Sequence, residues 1–391
     1  MGYDVRAVKM EAKYIQNEHK IFRESVRKFL EKEAVPYYDQ WEKDGIIPRE
    51  FWLKVGNQGF LCPNVDEKYG GLNADFTYSV IFTEELERVG TSLIGIGLHN
   101  DIVVPYIIEY GSEEQKQRWL PGCVSGEKVT AIAMTEPGAG SDLANIKTTA
   151  IKDGDSYILN GEKTFITNGI HSDLIVVACK TDSNAVPAYK GISLLVVERD
   201  TPGFFRGKKL DKVGLHGQDT AELIFQDARV PAANLLGEEG KGFYYMMNKL
   251  QQERLIIAIS AQVSAEAMLR MTIDYVKNRK AFGKSISQFQ NSQFKIAEMA
   301  TEIKLGRSFV DDLIIKHMNG DDVVTQVSMA KWWITEMAKR TASECMQLYG
   351  GYGFMEEYPI ARRYRDIPVA AIYAGTNQIM KNIIAKNLLG S

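Results

Sequence analysis

Several features that mark specialised proteins are scarce in this chain. Four cysteines, Cys62, Cys123, Cys179 and Cys345, lie far apart, and no C-x-x-C pair occurs. This spacing argues against a disulfide framework or a zinc site and fits isolated thiols in a reducing compartment, so a cytoplasmic protein is expected. Neither sign of charge dominates: 47 Lys and Arg face 50 Asp and Glu, a formal charge of −3, without long blocks of like charge. A general nucleic-acid binder is therefore not expected. Apolar residues never run uninterrupted for the roughly 18 positions a spanning helix needs, so no membrane insertion is expected. The start, MGYDVRAVKMEAKY, lacks the apolar segment of a secretory signal, and Arg6 stands where a myristoylation signal needs Ser or Thr. Internal repeats and low-complexity tracts are also missing.

What is present divides by texture. At roughly 150 residues per domain, 391 residues imply two or three domains. Up to about residue 125 the apolar period is helical, as in Phe22, Val26 and Phe29 or Leu30, with Pro48 at a helix start and Gly90 and Gly111 at helix ends. From about residue 128 come runs rich in Val, Ile, Thr and Phe: KVTAIAM, NIKTTAIK, SYILN, KTFITN, DLIVVACK, GISLLVVER and AELIFQDARV. Asp153-Gly154, Asn160-Gly161 and Asn168-Gly169 are expected as tight turns between them, which suits an antiparallel meander rather than a Rossmann sheet. After Pro231 and LLGEEGKG the helical period returns, near 241–278, 286–318, 322–348 and 376–389, and suggests a bundle. The expected fold class is thus α+β and multidomain: an all-α domain over 1–127, a middle antiparallel β-domain over 128–238 and a C-terminal four-helix bundle over 239–391.

The segment AIAMTEPGAGSD leaves a strand for a loop in which Gly138 and Gly140 let backbone N–H groups converge on an anion, with Thr135 and Ser141 adding hydroxyls. A pyrophosphate cradle and a plain glycine turn are both compatible with that spacing. Four further stretches follow: GEKTFITNG, NRKAFGKSISQFQ, QLYGGYGFMEEYPIARRYRD and IYAGTNQIMKNIIA. In this order, from about residue 10 to the end, the five stretches resemble the signatures of the acyl-CoA dehydrogenase flavoproteins.

The resemblance implies FAD as cofactor, with Ile132, Met134, Thr135, Gly140 and Ser141 along the isoalloxazine and pyrophosphate. Phe165, Ile166 and Thr167 would face the flavin's other side, Phe165 where many relatives carry Trp. Arg279, Phe282, Gln290, Gln347, Gly350 and Gly351 would reach FAD across a subunit interface, and Thr376 and Gln378 would complete its contacts. Plain structural roles exist for several: a solvated helix-end cation for Arg279, a core aromatic for Phe282, a helix stop for the glycine pair. A homotetramer, a dimer of dimers, is implied.

One departure stands out. Many relatives place the catalytic glutamate just before the last motif's Gly-Thr, where this chain has Ala374. The long-chain and isovaleryl branches carry it on a bundle helix, and LQQERLIIA resembles that stretch, which assigns the base to Glu253. The alternative for Glu253 is a solvated pair with Lys249. The implied reaction is α-proton abstraction by Glu253 with β-hydride transfer to flavin N5, giving a 2-enoyl-CoA in fatty-acid β-oxidation and passing electrons to electron-transfer flavoprotein. The main-chain N–H of Ala374 would help hold the enolate oxygen. Ser141, Tyr244, Arg254, Tyr373, Ala374 and Gly375 resemble the acyl-CoA channel, and Tyr189 and Lys190 the CoA contact. Asp101 would lie on the floor of the acyl pocket, as a second base for a cyclic acyl-CoA or as an ordinary capping aspartate. An oxidase and a non-catalytic FAD/acyl-CoA-binding homologue are the other readings.

Overall fold

The computed structural model describes residues 14–90 and 93–390; the charged start discussed above lies, as far as residue 13, outside the described residues. The first domain is helical, with α1 (Asn17–Glu33), α2 (Tyr38–Asp44), α3 (Arg49–Asn57), α4 (Phe76–Val89), α5 (Ile94–Gly97), α6 (Val104–Tyr110) and α7 (Glu113–Ser125). Local chemistry sets its boundaries. The Asp75 carboxylate accepts from the Thr77 amide to start α4, Gly90 ends it at φ 77°, and Ser112 and Gln115 form a reciprocal cap on α7. Between α5 and α6 the helix widens into a π-helical turn, Leu98–Val103, a form often found at functional sites.

The middle domain is a seven-stranded sheet: β1 (Thr130–Ala133), β2 (Thr149–Asp153), β3 (Ser156–Thr167), β4 (Leu174–Lys180), β5 (Ile192–Glu198), β6 (Phe204–Lys209) and β7 (Thr220–Pro231). Its order is β1-β4-β2-β3-β7-β6, with β5 also on β4. Most pairs are antiparallel, but β4 runs parallel to both β1 and β2, so the connection is not a simple meander. Asp153-Gly154 and Asn168-Gly169 turn as expected, whereas Asn160-Gly161 does not: β3 runs straight through it. Gly161 instead sits at a register shift against β7, where an added Cβ would meet Thr148 Oγ1 at 2.5 Å. β4 and β5 are buried and largely apolar up to their last residues, Lys180 and Glu198, because both faces are covered. Val176 and Val196 pack on the helical domain, and Val177 and Val197 on the opposite core.

The last domain begins with α8 (Gly242–Asn278), followed by a small hairpin of β8 (Lys280–Ala281) and β9 (Lys284–Ser285). It continues through α9 (Gln290–Met318), α10 (Val324–Tyr349), α11 (Pro359–Asp366) and α12 (Asn377–Leu389). By length and composition α8 could cross a membrane, yet most of its apolar stretch is buried inside the fold. Buried charges join the bundle to the first domain: Arg307 on α9 binds Glu84 on α4 at 2.8 Å and Glu266 on α8 at 2.7 Å, and Arg23 on α1 binds Glu84 at 2.6 Å. Burial alone would raise Glu84, but Arg307, Arg23 and Arg88 outweigh it and hold the carboxyl at about 2. This network ties α4 to α1, α8 and α9.

Candidate active site

Glu253 lies near the start of α8, only 4% exposed, and its Oε1 accepts a hydrogen bond of 2.9 Å from the Tyr106 hydroxyl on α6. Burial pushes its carboxyl up to about 7, against the opposing pull of the Tyr106 hydrogen bond, Arg254 and Lys249. The solvated pair with Lys249 does not form, because Lys249 binds Glu109 on α6. Glu253 is therefore a desolvated carboxyl whose charge state changes near neutral pH. A general base that must give up and take back a proton needs that property.

The next residue, Arg254, is also buried, and an added Cβ on Gly375 would lie 3.8 Å from its Nη2. Arg254 Nε has no hydrogen-bond partner among the described residues. The loop it faces is sharply turned, with Ala374 at φ 49° and Gly375 at φ 92°. Just beyond, the Thr376 hydroxyl caps α12 by accepting from the Ile379 amide. Tyr373 turns away into a small cavity with Glu87, Ser260 and Arg363, and burial raises its hydroxyl. Gln378 is exposed.

The π-helical turn supplies a second buried acid. Its Asn100 and His99 side chains face inward, to Cys62 N and Phe60 O and to Cys123 O and Thr130 N respectively. That leaves Asp101 against α4 and α8, where Ser79 is its hydrogen-bond partner and Gln252 donates to its carbonyl at 2.8 Å. Asp101 is not an exposed cap: it is 2% exposed, and burial pushes its carboxyl up to about 7. The two glycines before it differ. A Cβ on Gly95 would strike Gln218 Oε1 at 2.2 Å, so that glycine serves close packing, whereas one on Gly97 would meet open space.

The residues matched to FAD fall into two groups. The first borders the β-domain: Thr135 and Met134 are half-buried, Gly140 and Ser141 are exposed, and a Cβ at Gly138 or Gly140 would meet nothing within 4 Å. Phe165 is 68% exposed at φ 60°, and Thr167 is half-buried beside it. Ile166 points its side chain into the sheet core and so presents its main chain outward, while Ile132 is half-buried against the helical domain. The second group lines an open groove of about 720 Å³ at the far end of α8, with Arg279, Gln347, Gly350 and Gly351 together on its walls. Phe282, 95% exposed at the tip of the β8–β9 hairpin, and exposed Gln290 stand near it in sequence without lining it. Tyr244 and Tyr189 meet edge to face at 5.9 Å, while Lys190 is exposed.

Three contributors escaped the sequence reading. Tyr106 is one, carried in PYIIEY without a motif to mark it. The others are buried lysines. Lys163 donates to the Met134 carbonyl at 3.0 Å and to Glu136 Oε1 at 2.8 Å, and Glu136 in turn accepts from the amides of Lys147 and Thr148. Lys331 on α10 donates to the Gly375 carbonyl at 2.7 Å. An apolar helix or strand interrupted by one lysine, as in SMAKWW and GEKTFIT, was the available signal.

The buried Glu253 carboxyl, where the first helical domain meets the bundle of a three-domain α+β fold, points to a class of proton-transfer enzymes. Sequence models described as the N-terminal, middle and C-terminal domains of acyl-CoA dehydrogenase match residues 16–127, 131–228 and 240–389. The chain is 49% identical over 373 residues to the long-chain specific acyl-CoA dehydrogenase of Sus scrofa mitochondria, covering 95% of this chain and 87% of that protein. It is 37% identical to the isovaleryl-CoA dehydrogenase of Pongo abelii mitochondria, covering 95% and 89%. The crystal structure of an acyl-CoA dehydrogenase from Geobacillus kaustophilus superposes with a TM-score of 0.96 at 73% identity, covering 96% of this chain and 99% of that one. The chain belongs to the acyl-CoA dehydrogenase family of FAD-dependent oxidoreductases.

Proposed function

We propose that the chain oxidises the Cα–Cβ bond of long-chain or branched acyl-CoA thioesters, with Glu253 as the base. The observation that carries the proposal is the buried Glu253 carboxyl, poised at about 7 and held by Tyr106. It supplies at the bundle-helix position what Ala374 lacks. The relatives named above as long-chain specific and isovaleryl support the substrate range, and open space at Gly97 supports a deep acyl site.

The residues fit FAD. Gly138 and Gly140 leave room for an anion to approach the backbone, Thr135 and Thr167 offer hydroxyls, and exposed Phe165 offers a flat apolar face. When bound, FAD supplies the hydride acceptor. Glu253 accepts the α-proton as the carboxylate, Tyr106 orients that carboxylate, and the Ala374 N–H with its neighbours stabilises the charge developing on the thioester oxygen. Arg254 keeps a positive charge beside the site. Tyr244 and Tyr189 border the path for the CoA portion.

The groove around Arg279 and Gln347 serves FAD bound by a partner subunit. Arg279 follows Glu253 by 26 positions, about 39 Å along an α-helix, so the groove lies far from the base on the same chain. This supports a dimer or a dimer of dimers. We also place the protein in the cytoplasm, where its four buried free cysteines stay reduced, with electron-transfer flavoprotein as oxidant of the reduced cofactor.

Anaerobic titration of the holoprotein with linear, branched and cyclic acyl-CoAs, followed by flavin absorbance, tests the proposal. Bleaching by long or branched saturated thioesters is the expected result. Binding without bleaching across the whole panel would leave only a ligand-binding role.

A further inference from the structure

Lys331 is the most unusual buried charge near the site. It lies in the middle of α10, fully buried, among the small and apolar side chains that pack the bundle. Its Nζ donates to the Gly375 carbonyl at 2.7 Å and to Asn377 Oδ1 at 3.2 Å, and no carboxylate stands within ion-pair distance of it among the described residues. Arg254 adds a second buried cation beside it, which works against its charge, and burial and Arg254 together push its ammonium down to about 7. A buried lysine without a carboxylate partner is a costly choice for a bundle core. What it gains is a grip on one loop.

That loop needs holding. Ala374 and Gly375 both adopt left-handed backbone, a conformation that the alanine Cβ disfavours and that persists only where the surroundings enforce it. Below the loop, Asn377 is fixed from several sides: it donates to Thr335 Oγ1 at 3.0 Å and to Glu336 Oε1 at 2.9 Å. Lys331 thus ties the Gly375 carbonyl to a rigid polar cluster on α10 and α12, while Arg254 borders the loop from the α8 side, next to Glu253.

We propose that Lys331 is a positioning residue, which clamps the Ala374–Gly375 loop so that the Ala374 N–H points at the thioester oxygen when Glu253 removes the α-proton. The inference rests on the dehydrogenase reading and names the support of its oxyanion donor. In the step concerned, the Cα–H bond breaks, its proton goes to Glu253, and its electron pair forms the enolate whose charge collects on the thioester oxygen. Misplacing a donor by about 1 Å can cost on the order of 100-fold, so a clamp remote from the substrate matters for rate.

The test isolates that step from hydride transfer. Dithionite-reduced holoenzyme cannot accept a hydride, so deuterium incorporation at Cα of palmitoyl-CoA in D2O reports only enolisation. Lys331→Met keeps the chain length and removes the donor; Lys331→Gln keeps an N–H donor on a shorter arm. Exchange by the Met variant is expected to fall roughly 10- to 100-fold, with FAD content and palmitoyl-CoA affinity unchanged and with part of the rate restored by Gln. Wild-type exchange rates in a Met variant that retains FAD would overturn the clamp. So would failure of both variants to fold, since Lys331 would then be a structural residue. Absence of exchange in the wild type would instead overturn the dehydrogenase reading itself.

Discussion

The Tyr106 hydroxyl donates to Glu253 Oε1 across 147 positions of sequence, joining α6 of the first domain to α8 of the bundle at a buried carboxyl. This bond favours the carboxylate, opposing the larger effect of burial. Tyr106→Phe removes it without changing the ring's packing. The acidic limb of kcat/KM should move to higher pH, and the rate at pH 6 should fall more than the rate at pH 9. A parallel loss at all pH values would show that Tyr106 does not tune Glu253.

Glu253 also makes the protein less stable in alkali. Its folded pKa, about 7, lies above its ordinary value of 4.5, so the fold favours the protonated form. The stability it allows is complete below about 4.5 and is lost as pH rises through 7. Glu253→Gln should therefore raise the urea midpoint at pH 8, corresponding to a gain in unfolding free energy on the order of 1–3 kcal/mol, and change it little at pH 4. Equal midpoints at pH 8 would mean that the carboxyl is not desolvated.

Asp101 has a similar environment and a similar value of about 7, so the acidic limb needs assigning. Asp101→Asn should keep the limb near its place, because the proposed base is Glu253. Loss of the limb in this variant, with Glu253 intact, would transfer the base to Asp101.

The Lys163–Glu136 pair supports the loop after β1. Burial alone would raise Glu136, but Lys163 outweighs it and holds the carboxyl below its usual range. Both side chains are almost fully buried, so Lys163→Met leaves Glu136 charged without its cation. A loss of about 3 kcal/mol in urea unfolding is expected, together with easier dissociation of FAD on dilution, because the Met134 carbonyl also loses its donor. Unchanged FAD retention would separate this pair from the cofactor loop.

Much of this architecture is legible in the sequence, for identifiable reasons. Helical period, Gly90 and Gly111 mark the first domain, and β-branched runs mark the sheet, because both signals are local. Glu253 stands out differently, through the resemblance of LQQERLIIA to a family stretch with Ala374 standing where many relatives carry the acid, and its role as base is the proposal. What escapes is non-local. Asn160-Gly161 has the composition of a turn, and only its pairing with β7 and its proximity to Thr148 reveal a bulge inside β3. The parallel pairing of β1 with β4 depends on a distant strand. Ile132 and Ile166 sit in motif stretches, yet strand alternation turns their side chains into the two cores. Tyr106 and Lys331 carry no motif, since a hydroxyl or an ammonium gains its role here only from what the fold brings beside it.

The assignment of Glu253 as the base is tested most directly by mixing wild-type and Glu253→Gln holoproteins anaerobically with palmitoyl-CoA and following flavin absorbance. The wild type should bleach, while the variant should bind with a perturbed flavin spectrum and remain oxidised. Bleaching of the variant at the wild-type rate would contradict the assignment.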